Sequence, residues 1–129
     1  MNALIIDDSL AMRRILGKIV KRLGFDVLEA EDGAKGLEMF QENYAQIEVT
    51  LVDWNMPVMD GLSFIEAVRA DDRFTTDKLV MVTTETEPGR MTRALMAGVD
   101  EFVMKPFTTE ILVDKLKLIG VRMPTPAEA

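Results

Sequence analysis

The chain has 129 residues, 48% of them hydrophobic, which is enough for one ordinary core but not for two domains of usual size. It contains neither cysteine nor histidine, which excludes disulfides, thiolate metal sites and a histidine general base, so any chemistry must use carboxylates, hydroxyls or lysine. The formal net charge of -7 argues against direct binding of nucleic acid, because neutralising phosphates requires clustered lysine and arginine.

Short apolar runs alternate five times with longer amphipathic stretches, which is typical of a parallel sheet with helices on both faces. The first three strands are predicted at 3–6, 25–30 and 49–53. Ser9 is the predicted N-cap of a first helix that ends before Gly24. Asp32 and Gly33 open a second helix, and the loop at 54–60 follows the third strand.

The second half of the chain continues the alternation with strands at 79–83 and 101–104. Helices are predicted at 61–70, from Pro88 to Gly98, and from Thr108 or Thr109 to near Ile119. The helix after Pro88 carries its apolar residues at Met91, Leu95 and Met96. Residues 1–120 are expected to form one domain, and residues 121–129, with two prolines, a flexible tail.

Right-handed crossovers leave few strand orders for five consecutive strand–helix units, and the flavodoxin-like order 2-1-3-4-5 is common for this length. We therefore expect an α/β doubly wound parallel sheet, in which the carboxyl ends of the strands border a ligand-binding crevice. Strand-like sequence begins at Ala3, and no apolar run approaches the ~20 residues that span a membrane. The sequence thus predicts a soluble, cytoplasmic protein.

Reactive side chains occur at four of these strand ends, namely at Asp7, Asp8, Asp53, Thr83 and Lys105. Carboxylates ~4 Å apart repel each other by ~4 kcal/mol at an effective dielectric of about 20, so positive charge must offset them. Lys105 supplies one charge, and Mg2+ with phosphate and water ligands supplies more. Asp53 is then the best nucleophile toward phosphorus, while Asp7 and Asp8 hold the metal. Thr83 can donate its hydroxyl to a phosphoryl oxygen.

Each of these residues also has a purely structural interpretation. The acidic pair at 7–8 can cap the next helix, and Asp53 before Asn-Met-Pro can belong to a turn. Lys105 can be a solvated surface residue, and Thr83 an ordinary strand residue. Their coincidence at four strand ends favours a functional site.

The motifs that carry these residues are Ile6-Asp7-Asp8-Ser9, Val52-Asp53-Trp54-Asn55-Met56-Pro57, Met59-Asp60-Gly61, Val82-Thr83-Thr84 and Lys105-Pro106-Phe107. Together they resemble the motifs of the response-regulator receiver family, most of all its single-domain chemotaxis type. The resemblance spans residues 2 to about 120. It implies a two-component signalling domain rather than a classical enzyme, with self-catalysed phosphoryl transfer and autodephosphorylation.

The resemblance implies that Asp53 is the phosphoacceptor, supplied by a histidine kinase or by a small donor such as acetyl phosphate. Mg2+ would be bound by Asp8, Asp53 and the backbone carbonyl of Asn55. The same resemblance places Asp7 on the waters of the metal and Lys105 on the phosphoryl group.

A conformational switch is also implied, in which Thr83 moves to the phosphoryl group and Phe102 turns inward. The chemotaxis type usually has tyrosine at this place, so Phe102 lacks the hydroxyl, and a fixed core residue is the alternative. Asn55 and Glu85 would tune the lifetime of the phosphoryl group. The peptide bond before Pro106 is expected to be cis. The fourth helix, fifth strand and fifth helix would form the target-binding face, with the flagellar motor as an example of a target, in a monomer or weak dimer without direct nucleic-acid or membrane contact.

Two other protein classes fit less well, and a third interpretation stays open. Phosphohydrolases of the haloacid dehalogenase type carry Asp-x-Asp after the first strand, whereas here the acids are adjacent and the nucleophile follows the third strand. A flavodoxin-like electron carrier needs a phosphate-cradling loop, and Asp-Asp-Ser-Leu would repel the phosphate. A receiver domain cut from a longer regulator, with 124–129 starting a linker, is the alternative that the sequence permits.

Overall fold

The computed structural model describes residues 1–124, and its strands and helices alternate as predicted. The strands are β1 (Asn2–Ile6), β2 (Asp26–Ala30), β3 (Ile47–Val52), β4 (Lys78–Thr83) and β5 (Glu101–Met104). The helices are α1 (Leu10–Arg22), α2 (Gly33–Asn43), α3 (Gly61–Arg69), α4 (Pro88–Ala97) and α5 (Thr109–Leu118). Two short 3-10 turns that the sequence did not predict, Tyr44–Gln46 and Asp72–Phe74, precede β3 and β4.

All five strands are parallel, in the order β2-β1-β3-β4-β5, which confirms the predicted flavodoxin-like doubly wound sheet in one domain. The register pairs Ile6 of β1 with Val52 of β3, and Val52 with Met81 of β4. The residues that follow β1 and β3 therefore emerge side by side at the carboxyl edge of the sheet.

Two hydrophobic clusters pack on the two faces of the sheet. The cluster beneath α2, α3 and α4 includes Leu4, Phe40, Phe64, Phe74, Met81 and Phe102. The cluster beneath α1 and α5 includes Ile5, Leu16, Leu51, Val82 and Leu112. Side chains alternate between the two faces along each strand, and both faces are buried, which is why β1, β3 and β4 are mostly apolar along their length.

Side-chain caps begin four of the helices. Ser9, Asp32, Asp60 and Thr108 each accept a hydrogen bond from a backbone N–H of the first turn of the helix that follows. This confirms the caps predicted at Ser9 and Asp32 and selects Thr108 over Thr109. In contrast, α4 begins at Pro88 after Glu87, whose side chain makes no capping bond.

The outer surface of α4 carries exposed apolar side chains. Leu95 is 55% exposed and Met96 is 84% exposed, whereas Ala94 is fully buried and Met91 is partly buried. The helix thus packs on the core through Ala94 and Met91, while Leu95 and Met96 face solvent.

The packed part of the chain extends beyond residue 120. Val121 is buried, and its N–H donates to the carbonyl of Leu116 at 3.0 Å. The N–H of Arg122 donates to Oε2 of Glu48 at 3.0 Å. The rest of the predicted tail, residues 125–129, lies outside the described residues. In residues 1–124 no helix has the length and apolar character needed to cross a membrane.

Candidate functional site

Three carboxylates meet at the carboxyl edge of the sheet, where the sequence predicted them. Asp7 and Asp8 follow β1, and Asp53 follows β3 with its N–H donating to the carbonyl of Ile6 at 2.9 Å. This bond continues the parallel pairing beyond the strands and brings the acidic residues side by side. One carboxylate oxygen of each lies within 4.8 Å of the others. Asp7 and Asp53 are buried, at 1% and 9% exposure, and Asp8 is exposed.

Lys105 reaches this cluster from the end of β5. Its backbone N–H donates to the carbonyl of Thr83 at 2.9 Å, and the bond to Pro106 is cis, as predicted. Its ammonium nitrogen lies 2.9 Å from Oδ2 of Asp7 and 3.3 Å from Oδ2 of Asp53. Three carboxylates and one ammonium leave two net negative charges in the cluster.

Backbone groups hold the two buried carboxylates in place. Oδ1 of Asp7 accepts from the N–H of Ser9 at 2.9 Å, and Oδ1 of Asp53 accepts from the N–H of Trp54 at 2.7 Å. Burial raises the pKa of the Asp53 carboxyl above its usual range, Lys105 opposes this rise, and Asp7 adds to it. An oxygen donor set with two excess negative charges fits a hard divalent cation, so the cluster could bind a metal ion.

The predicted switch residues lie on one face of the sheet next to the cluster. Thr83 ends β4, is fully buried, and accepts a hydrogen bond at Oγ1 from the N–H of Glu85 at 3.1 Å. Phe102 is 6% exposed and lies beside Met81 in the register of β4 and β5, so its ring points into the core. The structure therefore holds Phe102 in the inward position.

Asn55 lies exposed in the loop between β3 and α3, two residues beyond Asp53. Beside this loop a groove of about 570 Å³ opens, lined by Asp8, Lys35, Pro57 and Val58. Val58 is 83% exposed and has a φ of 69°, a conformation that costs energy for a β-branched residue. Asp8 is thus shared between this groove and the acidic cluster.

Two residues at the site have roles that sequence reasoning missed. Gly61 begins α3 so close to Asp53 that a Cβ atom there would lie 2.2 Å from the carbonyl oxygen of Asp53. Its presence in the Asp60-Gly61 motif was the available signal. Arg90 pairs with Glu85 at 3.2 Å and places its guanidinium carbon 5.9 Å from the ring centroid of Trp54. No sequence signal marks these two contacts, because together they join α4, the loop before it and the segment after β3.

Comparison with known proteins gives consistent results. A family model described as the response regulator receiver domain matches residues 3–117. Chemotaxis protein CheY1 of Helicobacter pylori is 44% identical over 120 residues, which cover 92% of this chain and 96% of that protein. A chemotaxis protein CheY homolog of Campylobacter jejuni is 42% identical over 118 residues, covering 91% and 90%. The solved structure of chemotaxis protein CheY4 of Vibrio cholerae is similar with a TM-score of 0.84 at 32% identity, covering 92% and 97%.

Proposed function

Because the chain belongs to the response regulator receiver domain family and is a receiver of the chemotaxis CheY type, we propose that Asp53 accepts a phosphoryl group beside a bound Mg2+. The observation that carries the proposal is the cluster itself, in which Asp53 lies buried among two other carboxylates and one shared ammonium. The donor would be the phosphohistidine of a histidine kinase or a small molecule such as acetyl phosphate.

In the proposed reaction, a carboxylate oxygen of Asp53 forms a bond to phosphorus. The bond from phosphorus to the donor's nitrogen or oxygen breaks, and its electron pair leaves with the donor. The Lys105 ammonium, already 3.3 Å from Asp53, is placed to contact the transferred group. When bound, Mg2+ supplies positive charge that offsets the phosphoryl oxygens and the surrounding carboxylates.

The geometry supports different roles for the two acids after β1. Asp7 already accepts bonds from Lys105 and from the N–H of Ser9, so we assign it to the waters of the metal. Asp8 is exposed and, with Asp53 and the backbone carbonyl of Asn55, would bind Mg2+ directly. Mg2+ typically takes one or two carboxylates and keeps several waters, which agrees with this assignment.

The signal would leave the site through Thr83 and Phe102. Moving an equilibrium from 1:99 to 99:1 takes roughly 5.5 kcal/mol, and charge-assisted hydrogen bonds from Thr83 and Lys105 to a phosphoryl group contribute ~1.5–3 kcal/mol each. The face formed by α4, β5 and α5 would then bind the target, such as the flagellar motor. Leu95, Met96, Ile111 and Leu118 of α4 and α5 are exposed apolar side chains suited to such a contact.

Self-catalysed dephosphorylation would end the signal. We propose that Asn55 and Glu85, which follow Asp53 and Thr83 by two residues each, tune the lifetime of the phosphoryl group. Both lie in loops at the carboxyl edge of the sheet. This makes the protein a signalling domain whose own residues catalyse transfer and loss of the phosphoryl group.

Phosphorylation by acetyl phosphate tests this function directly. Intact-protein mass spectrometry should detect one added phosphoryl group in the wild type with Mg2+, and none with EDTA or in Asp53→Asn. The matched control is Asp114→Asn, which removes an exposed carboxylate of α5 and should be phosphorylated like the wild type. Equal incorporation in Asp53→Asn would show that another residue is the acceptor.

A further inference from the structure

The loop between β4 and α4 is held by a chain of contacts that starts at Thr83. Oγ1 of Thr83 accepts from the N–H of Glu85 at 3.1 Å. The carboxylate of Glu85 then accepts from the N–H of Glu87 through Oε2 at 3.0 Å and pairs with Nη1 of Arg90 through Oε1 at 3.2 Å. Since Glu87 precedes α4 and makes no capping bond with its own side chain, Glu85 joins the loop to the start of that helix.

Arg90 continues this chain of contacts toward the acceptor. Its guanidinium carbon lies 5.9 Å from the ring centroid of Trp54, within the range of a cation–π contact. Trp54 is 3% exposed, and its backbone N–H donates to Oδ1 of Asp53 at 2.7 Å. Arg90 therefore connects the loop after β4 with the residue that follows the acceptor.

The charge of Glu85 matters because the cluster already has two excess negative charges, and phosphodonors are anions. An unpaired carboxylate two residues beyond Thr83 would add to the repulsion of an incoming donor. We propose that Arg90 is a positioning residue for phosphoryl transfer: it holds the Glu85 carboxylate against the start of α4 and offsets its charge, so that an anionic phosphodonor can approach Asp53. This inference rests on the proposed function.

The size of the effect follows from exposure. The side chain of Arg90 is 45% exposed and that of Glu85 is 16% exposed, so water and salt screen the pair. Exposed ion pairs contribute little free energy, so we expect loss of this pair to change the rate constant of phosphoryl transfer by about threefold. The effect should shrink at high ionic strength, and the fold should not depend on it.

The experiment measures the rate of phosphorylation at low concentrations of two donors. Acetyl phosphate is a dianion at neutral pH, and phosphoramidate carries one negative charge less because its nitrogen is protonated. Arg90→Met should slow transfer from acetyl phosphate about threefold and transfer from phosphoramidate less. Arg93→Met is the matched control, since Arg93 is exposed on the same helix and makes no ion pair within residues 1–124. It should react like the wild type with both donors.

A double-mutant cycle tests whether Arg90 acts through Glu85. In the Glu85→Gln background, Arg90→Met should cause no slowing, because there is no carboxylate charge left for Arg90 to offset. With Glu85 present, Arg90→Lys should keep part of the wild-type rate that Arg90→Met loses, because lysine keeps the charge. The inference fails if Arg90→Met equals the wild type, or if it slows both donors equally in both backgrounds. Asp53→Asn separates the two proposals. If Asp53→Asn still takes up a phosphoryl group, the proposed function is wrong. If Asp53→Asn is inactive and Arg90→Met reacts at the wild-type rate, only the role of Arg90 is wrong.

Discussion

The buried carboxylate of Asp53, when ionised, lowers the stability of the folded protein. Burial raises its pKa, Lys105 lowers it, and Asp7 raises it again, with burial the largest effect. The folded state therefore holds the proton of this carboxyl more tightly than the unfolded chain does. The contribution of this carboxyl to the free energy of unfolding is therefore fully present below its unfolded pKa. It is lost as the pH rises through the folded pKa. At neutral pH, without a metal ion, the ionised carboxylate opposes folding.

We therefore expect Asp53→Asn to be more stable than the wild type at pH 7 in EDTA, by roughly 0.5–2 kcal/mol. The gain should decrease as the pH falls toward about 4, because the wild-type carboxyl then becomes protonated. Urea unfolding of both proteins at several pH values measures this difference. Asp114→Asn provides the control for loss of an exposed carboxylate. A mutant less stable than the wild type at pH 7 would contradict this account of Asp53.

Among the helices, α3 begins in direct contact with the backbone of Asp53, the proposed acceptor. The N–H of Gly61 donates to the carbonyl of Trp54 at 2.8 Å, and a Cβ atom there would approach the carbonyl oxygen of Asp53 to 2.2 Å. The carbonyl oxygens of Trp54 and Asp53 are both backbone atoms, so no side-chain rotation can relieve the clash. Gly89 in α4 is the contrast, because its Cβ would meet only the end of the Glu87 side chain at 3.8 Å.

Gly61→Ala should lower the free energy of unfolding by roughly 1–3 kcal/mol and slow phosphorylation, since it displaces the backbone of Asp53. Gly89→Ala should instead raise it by about 0.5–1 kcal/mol, because alanine is favoured over glycine in a helix. Thermal unfolding and acetyl phosphate assays of both variants measure the two effects. The explanation would be wrong if both substitutions changed stability equally.

How much the sequence predicts also differs between elements. The strands were predicted within two residues because each is a short apolar run. The caps at Ser9, Asp32 and Thr108 were predicted because a hydroxyl or carboxylate side chain precedes each helix, whereas the cap at Asp60 was not. Periodicity places Leu95 and Met96 on apolar positions but does not tell which side of α4 meets the sheet. The acidic cluster was predictable from strand ends alone. The contact of Arg90 with Trp54 was not, because it depends on how α4 lies against the segment that follows β3.

At the scale of the whole molecule, one hydrophobic cluster connects the acidic site with the outer face of α4 and β5. Phe102 of β5 and Ala94 of α4 are both buried in the cluster that lies on the same sheet face as Thr83. Leu95, one residue beyond Ala94, is exposed on the outside of α4. Since cores are closely packed, a movement of Thr83 toward a phosphoryl group would be transmitted by repacking around Phe102.

Phe102→Leu should test this transmission with little loss of the fold, at a cost of about 1 kcal/mol. We expect acetyl phosphate with Mg2+ to change amide hydrogen exchange in α4 and β5 of the wild type. The variant should be phosphorylated at the wild-type rate but give a weaker exchange response, because a smaller side chain couples the site less closely to α4. Phe64→Leu is the matched control, as Phe64 is fully buried in the same cluster but belongs to α3. If both variants respond like the wild type, Phe102 is a fixed core residue and the switch uses other contacts.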